Sequence, residues 1–161
     1  MNIVSDLKEW QAIRNSISSK SIGFVPTMGN LHEGHRSLCE KAKLENDIAV
    51  VSIFVNPHQF NQITDFEKYP RTLEQDKALL TAEKIDYLLL PNADAIYADN
   101  YQYKITESKL SAKLEGEYRP GHFDGVLTIV LKLLNLVQPT QAYFGEKDYQ
   151  QMLLIKEMAQ S

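Results

Sequence analysis

Apolar residues along this chain follow two patterns: short continuous runs, and longer stretches in which they recur every three or four positions. Leu7, Trp10, Ile13 and Ile17 have helical spacing, so the chain is predicted to open with a helix. Residues 21–26 (SIGFVP) read as a strand stopped by proline, and Thr27-Met28-Gly29 as a turn. From about Gly34, His35, Leu38, Cys39 and Ala42 share one helical face. Residues 47–55 (DIAVVSIFV) are almost uniformly apolar, as expected of a parallel strand covered on both sides. Thr72 and Gln75 have the spacing of a capping box before a helix that carries Ala78 and Leu79. Residues 85–90 form another buried strand, closed by Pro91-Asn92. The stretch 91–124 is irregular and tyrosine-rich, which predicts an excursion from the sheet. Residues 125–137 are apolar nearly all round, so that helix should be buried on more than one side. A short strand follows over 142–144. Asp148 and Gln151 then resemble a second helix cap, with Met152, Ile155 and Ala159 on one face beyond it.

Alternating strands and helices predict an α/β fold: one domain over 1–161, with a Rossmann-like parallel sheet and flanking helices. Such sheets bind ligands beyond the carboxyl ends of their strands, where strand order reverses. Three predicted strand ends carry polar sequence: PTMGNLHEGH, NPHQFN and FGEKD. The 161 residues hold 17 Lys and Arg against 21 Asp and Glu, a net charge of −4, which argues against nucleic acid or anionic lipid as partners. With 43% hydrophobic and 24% charged residues, the composition is that of a globular chain rather than a disordered one. No apolar run approaches the roughly 18 residues of a membrane helix, and the opening residues do not form a signal peptide. Cys39 is the single cysteine, so it forms no internal disulfide and no cysteine zinc site. A reducing, cytoplasmic location is the simplest expectation.

The sharpest local signal is Pro26 to His35. A strand ends, a glycine turn follows, and two histidines stand at the start of a helix. Free amide N–H groups and the helix dipole favour an anion there. His32 and His35, three apart, can point to the same side, and Gly34 is read as leaving room for a ligand against the backbone. Two imidazole donors suit a phosphate. The metalloprotease pattern H-E-x-x-H requires histidines four apart, and no third ligand is evident nearby, so no metal site is assigned. Both histidines acting as core or capping residues remains the alternative.

His32-Glu33-Gly34-His35 is the H-x-G-H signature of adenylate-forming nucleotidyltransferases. PTMGNLHEGH, VSIFVNPHQF, YPRT, LEGEYRPGHFDGV and YFGEKDYQQ occur in this order, and together they resemble the pantothenate synthetase (pantoate–β-alanine ligase) family over about residues 20–158. The resemblance implies an ATP-dependent condensation of pantoate with β-alanine through a pantoyl adenylate, with Mg²⁺, in a cytoplasmic homodimer. It implies that Met28, Gly29, Asn30, Leu31, His32, Glu33, Gly34 and His35 hold ATP, with His35 as the catalytic donor and His32 in support. It assigns Gly145, Glu146, Lys147 and Asp148 to ATP as well. Gln59 and Gln151 are assigned to pantoate, Gln59 also to β-alanine, and Asn56 becomes a secondary contact. Glu115, Arg119 and His122 are expected near the mouth, and Tyr69 against pantoate. His58 departs from the family pattern. Family members continue into a serine-rich loop and a smaller closing domain beyond Ser161, so these 161 residues are expected to be the N-terminal catalytic domain with impaired activity. Another H-x-G-H nucleotidyltransferase, or a ligand-binding or dimerising domain without activity, are the alternative readings.

Overall fold

A computed structural model describes residues 1–161. Five strands form one wholly parallel sheet in the order β1-β4-β3-β2-β5. They are β1 (Asn2–Val4), β2 (Ile22–Thr27), β3 (Ile48–Ile53), β4 (Tyr87–Leu89) and β5 (Gln141–Ala142). The chain steps from β2 through β3 to β4 in one direction. It then returns to place β5 on the other side of β2, so strand order reverses between β2 and β5.

Side-chain alternation divides the apolar residues between the two faces of the sheet. Ile22, Phe24, Val50 and Leu89 face one core with helices α1 (Leu7–Ser16), α7 (His122–Val137) and α8 (Tyr149–Gln160). Val25, Ala49, Val51 and Leu88 face the other with α2 (Glu33–Glu45) and α4 (Leu73–Ala82). α7 buries residues on all sides, as its composition requires. Its C-terminal carbonyls would be orphaned there. Trp10 Nε1 donates to the Leu136 carbonyl at 2.9 Å, and Arg14 donates to those of Val137 and Gln138 at 2.8 and 2.9 Å. The guanidinium also places a cation at the negative end of the helix dipole. No helix is long and apolar enough to cross a membrane.

The α/β architecture and the order of its main elements agree with the sequence reading. Several details differ. The chain opens with β1 rather than α1; three residues are too few to show a period, and Ile3 is 44% exposed. A helix α3 (Ile63–Lys68) stands before α4, the excursion from residue 91 holds two single-turn helices, α5 (Ala93–Ile96) and α6 (Glu115–Tyr118), and α7 begins at His122 rather than at 125. Neither proposed cap forms. Thr72 starts α4, but its hydroxyl donates to the Asp76 carboxylate instead of accepting a backbone N–H, and Asp148 starts α8 with its side chain uncommitted.

The segment after β3 packs directly on α7. A Cβ on Gly125 would lie 2.2 Å from the His58 carbonyl oxygen, so only glycine permits this approach. Gly125→Ala must push the two apart; we expect a loss of about 1–3 kcal/mol of stability, read as a lowered urea midpoint.

Candidate functional site

A cavity of about 500 Å³ opens at the carboxyl ends of β2 and β5, at the point of strand reversal. Pro26, Thr27 and Met28 from the end of β2 line one side, and Tyr143 to Asp148 from beyond β5 line the other. Val126, Ile129, Val130 and Leu133 of α7 supply an apolar floor, with Met152 and Ile155 of α8. His32, Gly34, His35, Gln59, Tyr69 and Gln151 also face it. Of the fifteen residues singled out for ligand contact in PTMGNLHEGH, NPHQF and FGEKDYQQ, the cavity therefore gathers Met28, His32, Gly34, His35, Asn56, Gln59, Gly145, Glu146, Lys147, Asp148 and Gln151. Gly29, Asn30, Leu31 and Glu33 do not line it. Glu33 is exposed and pairs with Arg36 at 3.3 Å.

The free amides expected in the histidine turn are mostly absent. Gly29 N–H donates to Thr27 Oγ1, and the N–H groups of Asn30 and Leu31 donate to the two oxygens of Asp76. His32 N–H donates to His35 Nδ1 at 3.2 Å, and Gly34 N–H to His32 Nδ1 at 3.0 Å. Five of the turn's amides are thus committed inside the protein. Nor does Gly34 leave open backbone for a ligand. A Cβ there would lie 2.8 Å from Cε1 of His32, so the space belongs to that ring.

This pattern fixes the chemistry of both rings. A ring nitrogen that accepts an N–H holds a lone pair, so in the neutral imidazole the proton resides on Nε2. His32 and His35, with centroids 4.2 Å apart, therefore present two Nε2–H donors at the cavity wall. His35 is held below the usual histidine range, chiefly by burial and then by the neighbouring His32, while the charge of Asp76 acts in the opposite sense.

Gln59 is set from behind. Asn56 is 1% exposed at the end of β3, and its amide is read unambiguously from backbone groups. Its Oδ1 accepts from His58 N–H and the Tyr97 hydroxyl, and its Nδ2 donates to the Gly125 carbonyl. That same Nδ2 donates to Gln59 Oε1 at 3.1 Å. The Gln59 amide then has its Nε2 donors left for the cavity. Asn56, expected as a ligand contact, has every side-chain polar atom engaged with the protein and orients Gln59 instead. His122 lies 5% exposed behind the same residue and donates from Nδ1 to the Gln59 carbonyl at 2.7 Å. Arg119 and Glu115 pair with each other at 3.4 Å and do not line the cavity. His58 stacks on Tyr101, with centroids 3.8 Å apart, on the far side of the loop.

Glu146, Lys147 and Asp148 are exposed at the rim, and the chain's six ion pairs lie elsewhere. A Cβ on Gly145 would meet nothing within 4 Å, which leaves open approach to the backbone on that side. No group of three or more His, Cys, Asp or Glu stands close enough to hold a metal ion. Cys39 is buried with its thiol pushed up to about 11 by that burial, so it is no nucleophile. Sequence reasoning missed Asp76 and Tyr97. The only signal for Asp76 was an aspartate one helical turn after Thr72, and nothing in the irregular stretch marked Tyr97.

A parallel sheet with its ligand crevice at the reversal point, and paired imidazoles opening the first crossover helix, defines a Rossmann-like α/β domain of the H-x-G-H type. The chain belongs to the pantoate-beta-alanine ligase family, whose model matches residues 2–161. It is 57% identical over 159 residues to the pantothenate synthetase of Coxiella burnetii, covering 99% of this chain and 62% of that protein. The pantothenate synthetase of Legionella pneumophila is 54% identical over 162 residues, with 100% and 64% covered. A crystal structure of pantoate-beta-alanine ligase from Francisella tularensis, complexed with beta-gamma ATP and beta-alanine, superposes with a TM-score of 0.96 at 49% identity, covering 99% of this chain and 62% of that one. The chain thus spans somewhat under two thirds of the length of these relatives.

Three of the four histidines, His35, His58 and His122, are held low chiefly by burial. With the folded values depressed, the unfolded chain takes up protons first as pH falls. The stability they contribute is present above about pH 6.5 and is lost as pH drops from there through the folded values. We expect a lower urea midpoint at pH 5.5 than at pH 7.5; an unchanged or higher midpoint contradicts this account.

Proposed function

We propose that this domain carries the acid-activating site of a pantoate–β-alanine ligase. The pantoate carboxylate attacks the α-phosphate of ATP, pyrophosphate leaves, and the pantoyl adenylate forms. The β-alanine amine then attacks the acyl carbon and AMP departs. A carboxylate is a poor electrophile for an amine at neutral pH, and adenylation supplies the leaving group. The observation that carries this reading is the meeting of two donor sets in one crevice: the paired imidazole Nε2–H groups and the outward amide of Gln59.

In this arrangement His35, supported by His32, donates to the phosphate oxygens as charge shifts onto them. Such preorganised donors reorganise little during reaction. Met28 and the backbone at Gly145 flank the nucleotide, Lys147 offsets phosphate charge, and Asp148 accepts from its hydroxyls. Gln59 and Gln151 hold pantoate against the apolar floor of α7, beside Tyr69, and Gln59 serves β-alanine in the second step. Gly29, Asn30, Leu31 and Glu33 support the turn rather than touch ligand. Mg²⁺ keeps several waters and binds mainly through substrate phosphates. Asp148 and Glu146, carboxylates that line the crevice, would be the groups to reach a metal carried in on the nucleotide. A cytoplasmic homodimer belongs to the same reading, and sedimentation tests the dimer.

The chain covers less than two thirds of its relatives, so full turnover is proposed of the whole protein. The test is pantoate-dependent exchange of pyrophosphate into ATP, with pantoyl adenylate trapped and identified. His35→Ala should lower exchange about a hundred- to a thousandfold. Gln59→Glu, which turns an acceptor towards the acid, should raise KM for pantoate about ten- to a hundredfold while leaving KM for ATP unchanged. Exchange that needs a different acid, or none, would assign the crevice to another H-x-G-H nucleotidyltransferase.

A further inference from the structure

We propose that Asp76 is the positioning residue of the histidine turn: its buried carboxylate fills the amide nest that the turn presents, and so aims the Nε2–H groups of His32 and His35 into the crevice. The geometry rests on both carboxylate oxygens. Oδ2 accepts from Asn30 N–H at 3.0 Å, and Oδ1 from Leu31 N–H at 2.9 Å and from the Thr72 hydroxyl at 3.1 Å. Asp76 is 3% exposed and takes part in none of the chain's six ion pairs, so neutral donors alone hold its charge. Its place in the first turns of α4 adds the favourable end of that helix dipole.

The turn is shaped around this group. Gly29 has a φ of +78° and Asn30 of +52°, which bring successive amides to bear on one point. A Cβ on Gly29 would stand 3.1 Å from Asp76 Oδ2, so the carboxylate fits against bare backbone. Only an aspartate serves. An asparagine would turn an NH₂ towards one of the two amides, and a glutamate would drive its longer chain into the turn. The next amide along, that of His32, is the donor to His35 Nδ1. Asp76 therefore fixes the chain up to the residue whose N–H sets the tautomer of His35. The same plug has a chemical consequence: phosphate cannot take the Asn30 and Leu31 amides, and the imidazoles stand as the side-chain donors of this turn. The charge of Asp76 also raises the proton affinity of His35, against burial and His32, the other titratable group beside it.

This deepens the ligase reading, and its test separates the two. With four histidines in the chain, ¹⁵N NMR resolves their tautomers without any turnover. In the unaltered chain, His32 and His35 should each show one tautomer, protonated on Nε2. Asp76→Asn should convert them to a mixture. In the whole protein it should cut pantoate-dependent exchange about a hundredfold, as misplacement by about an ångström does, with KM for pantoate unchanged. Thr72→Val removes only the hydroxyl donor and should act in the same direction by about three- to tenfold. Unchanged tautomers or unchanged exchange in Asp76→Asn overturn the proposal. If that variant does not fold, Thr72→Val with native tautomers and native exchange overturns it. A tautomer change in a protein that shows no exchange before mutation sinks the ligase reading and leaves the role of Asp76 standing.

Discussion

The site depends on how the first crossover satisfies its own backbone. A helix start leaves several N–H groups without partners, and a buried turn adds more. Here the partners are two imidazole Nδ1 atoms, one threonine hydroxyl and one carboxylate. Each Nδ1 that accepts an amide proton obliges its ring to carry hydrogen on the opposite nitrogen. Structural capping and chemical presentation are thus one arrangement. The choice between capping histidines and functional histidines, natural on the sequence, dissolves in the structure, because capping is what gives the rings their outward donors.

Gln59 follows the same logic with amides. An asparagine or glutamine side chain can be turned either way, and only its partners decide. Asn56 has one backbone donor and one backbone acceptor as neighbours, so its orientation has a single solution, and that solution passes on to Gln59. The approach that makes this possible is the bare Gly125 of α7 against the His58 carbonyl. The irregular stretch contributes Tyr97, whose hydroxyl reaches Asn56 at 2.6 Å. Residues remote in sequence therefore set the polarity of one amide at the crevice.

The α/β class, the strand series and the cavity-lining loops were legible because they rest on local features: apolar runs, helical spacing, and polar strand ends. The illegible part is non-local. Nothing in Thr-Leu-Glu-Gln-Asp says that the aspartate will insert under a turn some 46 residues earlier in the chain; the capping-box pattern drew attention to Thr72 and Gln75 instead. Three-residue β1 was invisible because its pairing partner is β4, at the far side of the chain. Asp148 had the spacing of a cap but left its side chain free, since spacing describes opportunity and not the competing solvent or ligand. The anion-nest reading of residues 28–35 fell short for the same reason: open amides are a property of a turn in isolation, and the protein itself fills five of them.

The balance of charge at the crevice constrains what this domain contributes. Under the proposed function its donors to phosphate are two imidazole Nε2–H groups, and Lys147 stands between two acidic residues at the rim of a chain that is itself net negative. Long-range attraction for a nucleotide is therefore weak, and recognition must come from short, directed hydrogen bonds made after encounter. Neutral donors suit a reaction in which negative charge moves between oxygens rather than accumulating: they follow that charge without trapping product phosphate as a fixed cation would. In the proposed reaction, counter-charge for the triphosphate comes with the nucleotide's own metal. The buried charge of Asp76 is consistent with that division. It is spent on aiming neutral donors and leaves the crevice itself without a fixed anion on the histidine side.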